Sequence, residues 1–166
     1  MTVDEHVREV YAWFGLAVYC GQVLEHGVVN AMVTLRLPKR ERFTRGDIDM
    51  FMDRQFEKTL GRLIKELQAE MPLPADLEES LRKALETRNW LCHDYFRERA
   101  VEFMTEAGRN GMLAELAHAR ELLVRADRSL TSVVQPIADR HGLTTAAIRA
   151  EYEAMCAEHG IGAEPT

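Results

Sequence analysis

The residues best suited to chemistry stand on one short stretch, Arg88-Asn89-Trp90-Leu91-Cys92-His93-Asp94-Tyr95. At about 100° per residue on a helical wheel, Leu77, Leu81, Ala84, Leu85, Leu91, Cys92 and Tyr95 fall within roughly 60° of Arg88. An arginine thus lies in the apolar stripe of its own helix. Its guanidinium stays charged, and stripping its water is costly unless a partner or a wet cleft is at hand. Asn89 and His93 are i, i+4 neighbours on the flank of the same stripe. Imidazoles titrate near pH ~6.5 and serve as base or acid, while arginine is a fixed, bidentate phosphate donor. Metal-free RNA cleavage asks for little more. It needs a base for the 2′-hydroxyl, a cation for the charged phosphorane and an acid for the leaving oxygen. Asn89 would orient the imidazole or the substrate.

Arg88-Asn89-x-x-x-His93 resembles the Arg-x4–6-His motif of the HEPN superfamily. With Tyr95 it is similar to the Arg-x4-His-x-Tyr form of HEPN toxins that pair with nucleotidyltransferase antitoxins. The resemblance implies a small α-helical bundle, a homodimer and a metal-independent endoribonuclease without a cofactor. Arg88 and His93 would carry the chemistry in two copies across the dimer and leave a 2′,3′-cyclic phosphate. It also implies an antitoxin or regulatory protein as partner, RNA as substrate, and Tyr95 as a site of nucleotide attachment. Many domains of that superfamily do not cleave. A non-catalytic helical interaction or dimerisation module on the same scaffold is therefore the second reading, with Arg–Glu and Asn–His pairs that only hold helices together. Tyr95 equally suits a packed aromatic with its hydroxyl at the rim.

The elements that must position these groups follow from periodicity. From about Asp4 to Leu35 no proline intervenes, and Val7, Val10, Tyr11, Phe14, Val18, Val28, Met32 and Leu35 keep one stripe. We read one long helix, with Gly15, Gly21 and Gly27 either marking close approach of another helix or merely tolerated. Glu25 falls on the centre of that stripe and Gln22 on its edge. A carboxylate facing the core asks for a cation, so Glu25 and Arg88 are expected to form a buried ion pair. Residues 36–46 read as a basic loop. Arg36, Lys39, Arg40, Arg42 and Arg45 either hold a phosphate backbone there or keep a connector wet.

Thr44 or Asp47 is expected to cap a helix running through Ile48, Met52, Phe56, Leu60, Leu63, Ile64 and Leu67 to about Glu70, stopped by Pro72 and Pro74. The motif helix starts near Ala75 and holds phase through Phe96. Beyond it Arg99 would land on the apolar side, so an end or bend is expected between Phe96 and Arg99. Gly108 to Gly111 reads as a break or bend. Met112, Leu116, Ala119, Leu123, Ala126, Leu130, Val133 and Ile137 then form a heptad seam for a long antiparallel partner inside the bundle. Pro136 should kink this helix near Ser132, and His141-Gly142 should end it. Thr144 caps a short last helix, with Leu143 and Ile148 as a hydrophobic staple. Gly160 to Thr166 reads as a frayed tail. The sum is a single all-α domain, an up-down helical bundle of about five helices.

Composition narrows the function classes. At 166 residues, 46% hydrophobic and 29% charged, the chain fits one globular domain. A formal net charge of −6 argues against indiscriminate polyanion binding but permits a local basic site. Cys20, Cys92 and Cys156 have no metal-like spacing, and their odd number is a poor disulfide framework. A reducing cytoplasm fits, as does an acidic N-terminus without a secretory n-region. No apolar run approaches the ~18 residues of a membrane span. His6, His26, His118, His141 and His159 are scattered, and no Gly-rich phosphate loop or Gly-x-Ser-x-Gly elbow occurs. A metal site is not expected. The methionines sit at core spacing and read as gap fillers.

Overall fold

A computed structural model describes residues 2–36 and 45–160. The chain is 88% helical, and no strand occurs among the described residues. The expected all-α bundle is what forms. Helix α1 spans Val3–Arg36, as the unbroken stripe required. Helices α2 (Arg45–Phe56) and α3 (Leu60–Glu70) follow, then α4 (Ala75–His93). Two single turns, α5 (Tyr95–Glu98) and α6 (Ala100–Phe103), lead into α7 (Glu106–Arg140), and α8 (Thr145–Glu158) closes the described chain.

Pairs of contacts along the helices fix their directions. His26 meets Phe56 while Arg36 lies over Phe51, so α2 returns antiparallel along α1. Arg36 pairs with Glu70 at 2.8 Å, which sets α3 running beside α1 in the same sense. Gly61 packs on Leu85 and Gln68 bonds Glu78, making α3 and α4 antiparallel. Arg88 lies against Gly21 and Tyr95 against Phe14, so α4 is antiparallel to α1. Gly27 abuts Asp127 and Leu130, and Thr34 and Ala138 line one cavity farther along, so α7 runs parallel to α1. The order is up, down, up, down, up. Val10, Leu24, Val28, Met32, Leu63, Leu67, Leu81, Leu116 and Leu123 form the core, each fully buried.

Four expectations change. The helix foreseen from residue 44 or 47 to 70 is two helices. The Lys58 N–H closes a turn on the Gln55 carbonyl, and Thr59 caps α3 by accepting from the Arg62 N–H. A hydroxyl at residue 59 offers the backbone a start signal that outcompetes continuation. The motif helix ends at His93, earlier than foreseen, because Asp94 leaves helical geometry at φ −125° and ψ −23°. The Gly108–Gly111 stretch neither breaks nor bends the chain into a loop but lies inside α7. The stop is Thr105, whose hydroxyl accepts from the Gly108 N–H. The main partner of the α7 seam is α1, which runs parallel to it, with α4 as the antiparallel neighbour.

Other expectations hold. Pro136 lies inside α7, which ends at Arg140 with His141 as its cap and Gly142 in the left-handed region at φ 77°. Thr144 accepts from the Ala147 N–H at 3.1 Å at the start of α8. The Ile148 side chain of the expected staple and residues 161–166 of the expected tail lie outside the described residues.

The glycines separate by what surrounds them. A Cβ on Gly108 would collide with the Glu102 backbone, whereas one on Gly111 would meet nothing within 4 Å. Gly108→Ala should therefore destabilise by about 1–3 kcal/mol, as overpacking against rigid backbone does. Gly111→Ala should stabilise by about 0.5–1 kcal/mol, since it removes glycine from a helix interior. Urea unfolding of the two variants checks the opposite signs.

Candidate functional site

The site grows from a notch in α1. Gly21 has no side chain, and the Arg88 stem fills the space, so that a Cβ on Gly21 would stand 3.1 Å from Arg88 Cγ. One turn along α1, Glu25 faces the same guanidinium, with Arg88 Nη2 3.6 Å from Glu25 Oε2. The expected pair exists. It is not buried, however, because the arginine and glutamate side chains keep 27% and 17% of their exposure. Their stripes meet at the edge of the α1–α4 interface, where water reaches both head groups. The other side of the guanidinium, Nη1, donates to Asn89 Oδ1 at 3.3 Å. Arg88 therefore bridges α1 and the outer flank of α4 with donors to spare.

Asn89, Cys92 and His93 are exposed, and His93 is the last residue of α4. The imidazole has no hydrogen-bond partner among the described residues, so Asn89 does not hold it. The sequence thus brings Glu25, Arg88 and Asn89 into one chain of contacts, with His93 one turn farther along α4.

Tyr95 overturns the rim expectation. It is 1% exposed, and its hydroxyl donates to the Met112 carbonyl of α7 at 3.2 Å. Phe14 stacks on its ring and Trp90 meets it edge-on. Burial pushes the phenol well above its ordinary range, the Glu115 carboxylate adds to this, and Arg99 opposes it. A hydroxyl committed to the interior offers no point for nucleotide attachment in this conformation. Tyr95 supports the site by pinning the end of α4 to α7.

Sequence reasoning missed the polar clasp around that pin. Arg99 donates to both Glu115 oxygens at 2.8 Å and lies over the Trp90 ring, whose indole N–H donates to Glu98 at 2.9 Å. Buried Arg109 donates to the Phe103 carbonyl at 2.9 Å and so caps the turn before α7. The signal for Arg99 was present in its clash with the apolar phase. Arg109 had none, because its acceptor is backbone.

The basic loop is only partly described. Arg36 ends α1 and is engaged by Glu70 and Glu66 and by the Phe51 ring, while Arg45 opens α2. Lys39, Arg40 and Arg42 lie outside the described residues. Among the described residues no three His, Cys, Asp or Glu side chains gather as a metal cage, and no helix is long and apolar enough to cross a membrane. Comparison with protein-family models, curated proteins and solved structures finds no match.

Two outcomes test this geometry. A water-exposed pair contributes about 0–1 kcal/mol, so Glu25→Gln should cost under ~1 kcal/mol rather than the ~3–5 of a buried pair. For Tyr95, the folded state holds the phenolic proton more tightly than the unfolded chain. Its contribution is complete below pH ~10 and is lost as pH rises beyond. Tyr95→Phe should lose about 1 kcal/mol at neutral pH through the missing hydrogen bond and blunt the alkaline fall in melting temperature. Thermal melts from pH 7 to 11 compare the two.

Proposed function

We propose that this chain is a HEPN-like, metal-independent endoribonuclease that acts as a homodimer in a reducing cytoplasm. In this reading it is a toxin or defence component restrained by a partner protein. One observation carries the reading: Arg88 sits at a wet helix edge with spare donors, and an unpartnered His93 stands one turn beyond it. A cation buried in the core would have no freedom to meet phosphate, and this one retains it.

The chemistry is a transesterification. One imidazole takes the proton of the ribose 2′-hydroxyl, and that oxygen attacks the adjacent phosphorus. Arg88 steadies the charge of the phosphorane through paired N–H donors. The bond from phosphorus to the 5′-oxygen breaks, and a second, protonated imidazole supplies the proton to the leaving oxygen. The products are a 2′,3′-cyclic phosphate and a 5′-hydroxyl. A single histidine begins in one protonation state only, whereas two copies of His93 in a dimer supply base and acid together. Asn89 orients the guanidinium. Against a net charge of −6, RNA would be held locally by Arg88 with Lys39, Arg40 and Arg42.

The non-catalytic interaction module is favoured by a different observation. His93, at i+5, points roughly 140° round the helix from Arg88, whose guanidinium already meets Glu25 and Asn89. On that reading the polar chain only fastens α4 to α1.

Cleavage assays separate the two. The purified protein should cut a panel of cellular RNAs in excess chelator and leave cyclic-phosphate ends. His93→Ala should slow it by ~10²–10⁴-fold while keeping its helicity. Arg88→Lys should also be impaired, because a point charge does not replace a planar fork. Intact RNA, or full activity in His93→Ala, would establish the interaction module instead. Separately, replacing both Arg40 and Arg42 with Ser should weaken RNA binding and flatten its salt dependence without changing the melting temperature. An unchanged salt slope would make the loop a solvated connector.

A further inference from the structure

Helix α1 carries a face that solvent alone does not explain. Its exposed residues between Tyr11 and Val23 are Tyr11, Ala12, Gly15, Leu16, Tyr19, Gln22 and Val23, and none is charged. The exposed face of α4 reads instead Asp76, Glu78, Glu79, Arg82, Lys83, Glu86. Tyr11 is 52% exposed, Leu16 40% and Tyr19 60%. The reason the face is open is topological. The α2–α3 hairpin turns at Lys58, level with His26 and Leu85, and leaves the lower half of α1 uncovered. A contiguous apolar patch of this kind marks an interaction surface.

We propose that a second copy of this chain docks here, its α1 antiparallel to the first, so that the two His93 side chains line one groove. The face is complementary to itself. Gly15 opens a notch, since a Cβ there would meet nothing within 4 Å, and Tyr19 is a projecting ring one turn away. About a two-fold axis near residue 17, each Tyr19 enters the partner's Gly15 notch. The same axis sets Ala12 against Val23 and Leu16 against Tyr19, a small residue facing a larger one in the outer pairs. Such an isologous contact closes on itself. The absence of charge gives a charged heterologous partner nothing to recognise. A stable interface buries about 800 Å² per partner, more than one short helix face provides. Val101 and Met104, exposed in the turn that seats Phe103 against Tyr11, are placed to extend it.

The placement of α4 gives the contact its consequence. A two-fold axis across antiparallel helices keeps lateral neighbours on the same side, so both α4 helices flank one groove. Arg88 is level with Gly21 and Glu25, and Tyr95 with Phe14. His93 lies between them along α4, at the height of the proposed axis. That last step rests on the ribonuclease reading, whereas the docking face does not.

Sedimentation and light scattering of the full chain test the face. The parent should be a dimer at micromolar concentration. Tyr19→Glu and Gly15→Arg should be monomers with unchanged helicity, while Lys83→Glu on α4 stays dimeric. A second measurement fixes the direction. With Cys92→Ser in both chains, a mixture of Ala12→Cys and Val23→Cys should form a disulfide-linked heterodimer under diamide, and neither chain alone should cross-link. A monomeric parent, dimeric Tyr19→Glu and Gly15→Arg, or cross-linking of each chain only to itself would overturn the proposal. Cleavage assays then part the two ideas. RNA left intact by a parent that dimerises through this face defeats the enzyme reading and leaves the interface standing. Loss of cleavage in monomeric Tyr19→Glu, with His93 untouched, supports both.

Discussion

Five rings decide where this chain can bend. Tyr11 and Phe14 of α1 gather Tyr95, Phe96 and Phe103 at one end of the bundle, with centroids 4.9 to 5.8 Å apart. A helix kept in phase past Phe96 would drive Arg99 into that cluster and swing Phe103 out of it. Breaking at Asp94 and again at Arg99 re-phases the chain. Phe96 and Phe103 then both reach Tyr11, and Arg99 turns to Glu115 and Trp90. Interrupting a helix sacrifices one or two hydrogen bonds of net value near ~1 kcal/mol each. Several aromatic contacts at ~0.5–1.5 kcal/mol, on top of the area they bury, outweigh that. The consequence for the site is direct. His93 becomes a helix end rather than a mid-helix residue, and so it is exposed.

The pairing of Glu25 with Arg88 was legible because it needed only two stripes and one rule, that a charge on an apolar face demands an opposite one. Its depth was not legible. A wheel gives angles and says nothing about how far a neighbouring helix extends. Gly21 is what sets the depth here, since its missing side chain lets the Arg88 stem lie flat and carries the guanidinium to the edge. For Gly27 the approach is to α7, where the Asp127 carboxylate occupies the space a Cβ would take and burial raises its proton affinity. Close approach was thus the right physical idea for two of the three glycines. Gly15 meets nothing, and its use depends on a second chain if on anything.

Tertiary competition explains the rest of what periodicity hid. The stripe from Met52 to Leu67 stays in register across Glu57, Lys58 and Thr59, so a hydrophobic count cannot see the break. A threonine cap and a buried Gln55 create it. The α7 seam reads as a demand for a long partner, and α1 and α4 both answer it. Heptads specify a partner's surface but not its direction, which here follows from the odd number of passes between first and last. Tyr95 was ambiguous because rim and interior differ only in where the hydroxyl finds an acceptor. The Met112 carbonyl is backbone, and its availability depends on the phase of another helix.

A single feature of the topology, the short α2–α3 hairpin, links the polar site to the uncharged face. Had it extended one or two turns farther, it would have covered the lower half of α1 together with Asn89 and His93 on α4. The hairpin is held at its present length from both ends. Thr59 starts α3 with a cap, and Lys58 is tied to Gln55 and Glu66. The acidity of the chain then works for selectivity rather than against binding. Charges screened over about 8–10 Å contribute little to one another across a protein. A phosphate approaching Arg88 is therefore governed by the cations within that range, not by the net −6 of the whole. A long polyanion lying along the surface meets the acidic exposed face of α4 as well. An arrangement of this kind favours a strand presented end-on or as a loop over one laid flat, which is the physical form in which a single scissile phosphate reaches a site at a helix end.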